Sequence, residues 1–116
     1  ALWTAVRHKI PLLVLINNNQ SYFNDELHQE GVAKRRNRPV GNRWIGLAMD
    51  KPYVDIAKLA EAQGATGIGP IKTLADLPDA IRKGVDVMMK GGVCVIDIHV
   101  PPGTERNTNS TGLRNT

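Results

Sequence analysis

Leu12-Leu13-Val14-Leu15-Ile16 runs straight into Asn17-Asn18-Asn19. Five consecutive apolar residues after Pro11 read as a strand buried on both faces, the kind that lies inside a parallel sheet. Such sheets bind ligands at the carboxyl ends of their strands. Three carboxamides at that end are costly to bury unless they bind something. Each offers a neutral oxygen acceptor and an NH2 donor, suited to a hard metal ion or a phosphate. The plainer reading is a turn, because Asn tolerates left-handed backbone and caps chain reversals.

Working outward, residues 1–9 read as the end of a helix, with Leu2, Ala5 and Val6 on one face and Pro11 closing it. The strand covers 12–16, and the asparagines form the loop after it. Residues 22–34 form a helix whose apolar markers, Leu27 and Val32, are weak. Asn37 to Asp50 is a long ordered loop containing Pro39, Gly41 and Gly46. Asp50 caps the next helix with Pro52 in its first turn, and Gly64 stops it. Ala65 to Ile71 is a short strand weakened by Gly67 and Gly69. Thr73 or Asp76 caps a helix with Leu77, Ile81, Val85 and Met88 as its buried stripe. Gly91-Gly92 ends that helix, and Val93 to Ile98 is a second apolar strand, broken only by Asp97. Strands alternating with helices predict an α/β fold, three-layer α/β/α with a mostly parallel sheet and right-handed crossovers.

Composition narrows the class of protein. A length of 116 residues allows one domain, and 41% hydrophobic content supports a globular core. The net charge of +4 is too mild to indicate nucleic-acid binding by itself. Lys34-Arg35-Arg36-Asn37-Arg38, with Arg43 close by, is the densest basic run. With only Trp44 adjacent for stacking, it reads as a solvated loop or a subunit contact. The single cysteine, Cys94, excludes an internal disulfide and fits a reducing, cytoplasmic setting. Its place in Val93-Cys94-Val95-Ile96 makes it a small core residue. No apolar run is long enough to span a bilayer, so no membrane partner is expected.

Other candidate sites are weak. His8, His28 and His99 lack metal-ligand spacing, and Asp97 with His99 on one strand face supplies too few ligands for zinc. Gly64-Ala65-Thr66-Gly67-Ile68-Gly69 lacks the dinucleotide-binding spacing and reads as tight helix–strand packing. Ser21 has no recognisable His-carboxylate partners for a hydrolase triad.

Taken together, Leu13-Val14-Leu15-Ile16-Asn17-Asn18-Asn19-Gln20-Ser21-Tyr22 resembles the second half of the thiamine diphosphate motif, which begins Gly-Asp-Gly and closes on Asn-Asn at a strand end. Asp55-Ile56-Ala57-Lys58-Leu59-Ala60-Glu61-Ala62-Gln63-Gly64-Ala65 resembles a helix of the same family. Leu77-Pro78-Asp79-Ala80-Ile81 and Gly92 to Ile98 resemble its last helix and strand. The likeness covers residues 1–102 and points to the group of acetolactate synthase, benzoylformate decarboxylase and pyruvate decarboxylase. It leaves residues 103–116 as a polar tail.

The resemblance implies roles. Asn18 and the backbone carbonyl of Gln20 would bind Mg2+, which bridges to the cofactor diphosphate. Asn19, Ser21 and Tyr22 would lie along the cofactor, and Phe23 and Asn24 beside the substrate. The Gly-Asp-Gly half would lie ahead of Ala1, and the activating glutamate in another domain, from a neighbouring subunit. The 116-residue chain alone is therefore expected to be inactive, with no catalytic residue of its own. The parent would be an oligomeric lyase or carboligase, a homodimer or homotetramer, acting on 2-oxo acids or related carbonyl compounds. The alternative is a non-catalytic, flavodoxin-like α/β binding module whose asparagines only form a turn.

Overall fold

A computed structural model describes residues 1–101. The elements follow the order α1 (Leu2–Arg7), β1 (Leu12–Asn18), α2 (Phe23–Arg35), α3 (Ile56–Glu61), β2 (Thr66–Ile71), α4 (Leu77–Met89) and β3 (Val93–His99). The chain divides into two compact units, one formed by Ala1–Asn18 with Val54–Val100 and the other containing Asn19–Tyr53. The polar tail proposed for 103–116 lies outside the described residues.

The first unit holds a three-stranded parallel sheet in the order β1-β3-β2. Side chains of β3 alternate between two helical layers, as the pleat requires. Val93 and Val95 pack with Ala5 of α1 and Ala60 of α3, joined by Val14, Ile16 and Ile56. Cys94 and Ile96 pack with Ala80 of α4, joined by Leu13, Ile68 and Ile81. The expected three-layer α/β/α arrangement is therefore present, with β3 as its buried centre.

The strand that suggested the fold is not buried on both faces. β1 is an edge of this sheet, and Leu12 and Leu15 are exposed. An edge strand has a neighbour on one side only, so its apolar run is half covered. β1 is also longer than expected. It continues through Asn17 and Asn18, paired with Ile98 and His99.

Local chemistry sets the other boundaries. The helix α3 begins later than expected because Asp55, not Asp50, is its cap, its side chain accepting from Lys58 N at 2.9 Å. Pro52 lies in the preceding turn. Ahead of α4 both candidates take part: Asp76 holds the cap position, and its N–H donates to Thr73 Oγ1 at 3.3 Å. The expected stripe of α4 is only partly buried. Its fully buried positions are the small Ala80 and Gly84, which let the helix approach the sheet closely. A Cβ at Gly84 would stand 2.7 Å from Leu13 Cδ1 and 2.9 Å from Ile96 Cδ1. The glycine-rich stretch behaves as tight packing: a Cβ at Gly67 would meet the Ala57 carbonyl oxygen at 2.2 Å.

The second unit is built around α2, none of whose residues is buried. That agrees with its weak apolar pattern. Ser21 forms an antiparallel bridge with Ala48, and Tyr22 N donates to Leu47 O at 3.0 Å. Lys34 and Arg43 of the basic cluster have acidic or aromatic neighbours. Glu30 takes Lys34 at 2.6 Å and Arg43 at 3.4 Å, and the Arg43 guanidinium lies 5.7 Å from the Trp44 ring centre.

Candidate functional site

At the C-terminal end of the sheet, the pairing of Ile16 with Asp97 and Asn18 with His99 brings polar side chains onto one face. The positions Val14, Ile16 and Asn18 of β1 share that face with Val95, Asp97 and His99 of β3. Up to Ile16 and Val95 the face is hydrocarbon, and beyond them it becomes polar. Asn18 Nδ2 donates to Asp97 Oδ1 at 3.0 Å. His99 Nε2 lies 3.8 Å from Asp97 Oδ2. Asp97 has no solvent exposure at all and is the one buried polar residue among the described residues. The backbone of β2 closes over it at Gly69, where a Cβ would stand 2.6 Å from the Asp97 carbonyl oxygen and 3.0 Å from its Cβ. Gly69 has φ +134, so this close approach needs glycine twice over.

The Asn18–Asp97 contact settles the orientation of the Asn18 carboxamide. A carboxyl oxygen of Asp97 is the acceptor in this contact, so the NH2 group faces it. The amide oxygen is then the end of the group turned away from Asp97. The Asn18 backbone is held as well, its carbonyl accepting from Val100 N at 3.0 Å.

The following residues belong to the other compact unit and carry the turn. Asn19 Oδ1 accepts from Ser21 N at 3.1 Å, an Asx turn of the kind asparagine favours. Gln20 takes left-handed backbone at φ 55, and its carbonyl accepts from Met49 N at 2.7 Å. Ser21 Oγ donates to Glu26 Oε1. Tyr22 sits at the N-terminal boundary of α2 and is 56% exposed, Phe23 is half-buried and Asn24 is exposed. The triplet thus splits its work: Asn18 joins the polar rim of the sheet, and Asn19 makes the turn.

The Asn18 carboxamide is a group of the kind that a magnesium diphosphate would take. Mg2+ takes neutral oxygens beside phosphate oxygens, and an oriented amide oxygen is such a donor. Among the described residues no group of three or more His, Cys, Asp or Glu side chains could hold a metal ion. Cys94 is buried, and burial pushes its thiol above the ordinary range, so it does not act as a nucleophile here.

The sequence places Asp97 and His99 on one strand face, and the strand pairing joins them to Asn18. The available signal was a carboxyl inside an otherwise apolar strand, which demands a partner.

The strand, the asparagine turn and the helix after it stand in the order that the resemblance to a diphosphate-binding α/β domain implies. The family model for the C-terminal TPP binding domain of thiamine pyrophosphate enzymes matches residues 1–98, and the chain belongs to that family. It is similar to the sulfoacetaldehyde acetyltransferase of Alcaligenes xylosoxydans xylosoxydans, with 33% identity over 98 residues. That alignment covers 84% of this chain and 15% of the relative, so the chain spans a small part of the curated protein it matches. No solved structure matches at a significant level. Among the described residues no helix is long and apolar enough to cross a membrane.

Proposed function

We propose that this chain is the part of a thiamine diphosphate- and Mg2+-dependent lyase or transferase that anchors the cofactor diphosphate. The observation that carries the reading is the Asn18 carboxamide, fixed at the end of β1 by a hydrogen bond from its NH2 to buried Asp97. In this reading the Asn18 side-chain oxygen and the Gln20 carbonyl contact Mg2+. Asn19, Ser21 and Tyr22 lie along the cofactor, and Phe23 and Asn24 contribute to the substrate pocket. When bound, thiamine diphosphate supplies a carbon nucleophile for a carbonyl group and a sink for the electrons left behind. This chain's own residues bind and orient.

The substrate is proposed to be a 2-oxo acid or related carbonyl compound. The aldehyde named in the similar acetyltransferase supports that class, and its name adds acetyl transfer to the reactions to be tested. The remainder of the parent enzyme is the necessary partner. A homodimer or homotetramer in the cytoplasm is the proposed assembly, in keeping with a single buried free cysteine. Neither nucleic acid nor membrane is a proposed partner.

The test uses the full-length protein that carries this chain. Thiamine diphosphate is expected to bind saturably and only with Mg2+, and Asn18→Ala is expected to weaken that binding at least about tenfold. Unchanged binding in Asn18→Ala would overturn the ligand assignment. Incubating the loaded protein with pyruvate, benzoylformate or sulfoacetaldehyde then separates decarboxylation from acetyl transfer by the product formed.

A further inference from the structure

We infer that Asp97 is a positioning residue for the diphosphate site: its buried carboxyl group holds the Asn18 NH2 and so dedicates the amide oxygen to the metal. The inference rests on the metal-ligand reading of Asn18 proposed above.

Three observations carry it. The first is the contact itself, Asn18 Nδ2 to Asp97 Oδ1 at 3.0 Å across two strands. The second is the complete burial of Asp97 in the central strand, where a carboxyl group is costly unless it serves a partner. The third is the accommodation made for it: Gly69, at φ +134, leaves out the side chain that would strike Asp97. An asparagine without such a partner can present either end of its amide. An NH2 group turned toward a cation repels it, whereas the oxygen coordinates it. Binding of the NH2 by Asp97 removes the wrong presentation before the metal arrives. Partners of this outer kind set ligand orientation and tune metal affinity. The second oxygen of Asp97 faces His99 Nε2 at 3.8 Å, beyond hydrogen-bond distance.

The experiment measures the Mg2+ concentration needed for thiamine diphosphate binding to the full-length protein, followed by tryptophan fluorescence. Asn18→Ala and Asp97→Ala are each expected to raise that requirement about 10–100-fold. The double variant is expected to be no worse than Asn18→Ala by more than about twofold, because Asp97 acts through Asn18. Two losses that multiply would overturn the inference, since they are what a separate structural role gives.

A second comparison uses near-isosteric variants and so does not depend on Asp97→Ala folding. Asn18→Asp sets two carboxyl groups against each other and is expected to weaken Mg2+ binding about tenfold or more, although a carboxylate is itself a good magnesium ligand. Adding Asp97→Asn exchanges donor and acceptor, rebuilds the bond, and is expected to return the requirement to within about threefold of the parent. A swapped pair no better than Asn18→Asp overturns the inference. If Asn18→Ala leaves the Mg2+ requirement unchanged, the ligand reading fails and this inference falls with it. If Asn18→Ala weakens binding but the cycle is additive, only the positioning role of Asp97 is lost.

Discussion

Asn18 Nδ2 and Asp97 Oδ1 stand 3.0 Å apart although 79 positions separate the two residues in sequence. The bond ties the end of an edge strand to the buried central strand. Hydrogen bonds to charged groups contribute about 1.5–3 kcal/mol. Asn18→Leu keeps the side-chain size and removes the donor, so it is expected to destabilise the chain by about that amount. Urea unfolding of the two proteins, read as a shift in midpoint at constant slope, checks this. A midpoint unchanged from the parent would show that the bond contributes nothing to stability.

Gly67 tests the packing of α3 on β2. A Cβ there would stand 2.2 Å from the Ala57 carbonyl oxygen, and backbone cannot swing aside as a side-chain end can. Gly67→Ala is expected to cost about 1–3 kcal/mol or more. Gly41→Ala is the matched control. Nothing lies within 4 Å of its added carbon, so it is expected to be neutral or to stabilise by up to about 1 kcal/mol. Thermal denaturation of both variants measures the contrast.

Cys94 is fully buried, and burial pushes its thiol upward from the ordinary range. Only the thiolate reacts readily. In the folded chain, Cys94 is therefore expected to stay unmodified by iodoacetamide at mildly alkaline pH and to react fully in denaturant. Mass spectrometry of the peptide containing it gives the readout. Rapid labelling under native conditions would contradict the burial.

Glu30 supplies a pH dependence. Its carboxyl is held below the ordinary value of 4.5, chiefly by the hydrogen bond from Lys34. The Lys34 and Arg43 charges add to that, and burial opposes it. A lowered folded value means the stabilisation is present above 4.5 and disappears as pH falls through the depressed value. Lys34 is 64% exposed, so the pair contributes only about 0.3–0.5 kcal/mol. Glu30→Gln is expected to be less stable than the parent by that amount near neutrality and equal to it in strong acid. Urea midpoints at the two conditions give the comparison.

Much of the fold is legible in local pattern. The apolar run of 12–16, the β3 segment and the Gly91-Gly92 stop gave the strand and helix order that the structure shows. What local pattern cannot carry is neighbourhood. Leu15 has the same character in an edge strand as in a central one, so its 49% exposure was not visible in the run itself. Asp50 and Asp55 are equally good caps by residue type, and the hydrogen bond to Lys58 N decides between them. The small residues of α4 do not stand out in a stripe read from large side chains, whereas close approach to the sheet selects Ala80 and Gly84. At the site, the strand-end asparagines announced themselves, and Asp97 announced only that it needed a partner. Which partner depends on the alignment of two strands joined through most of the chain.

That dependence also runs backward, from chemistry to folding. If β3 threaded into the sheet one residue out of step, every side chain would change faces. Asp97 would then sit in the hydrocarbon shared by Ala80, Leu13 and Ile68, without the amide that now receives it. An isolated charge in such surroundings costs several kcal/mol, enough to depopulate the misthreaded form. The residue that disciplines the rim is thus also a proofreader for assembly. Replacing it with an aliphatic side chain would loosen the choice between the right sheet and its nearest impostor.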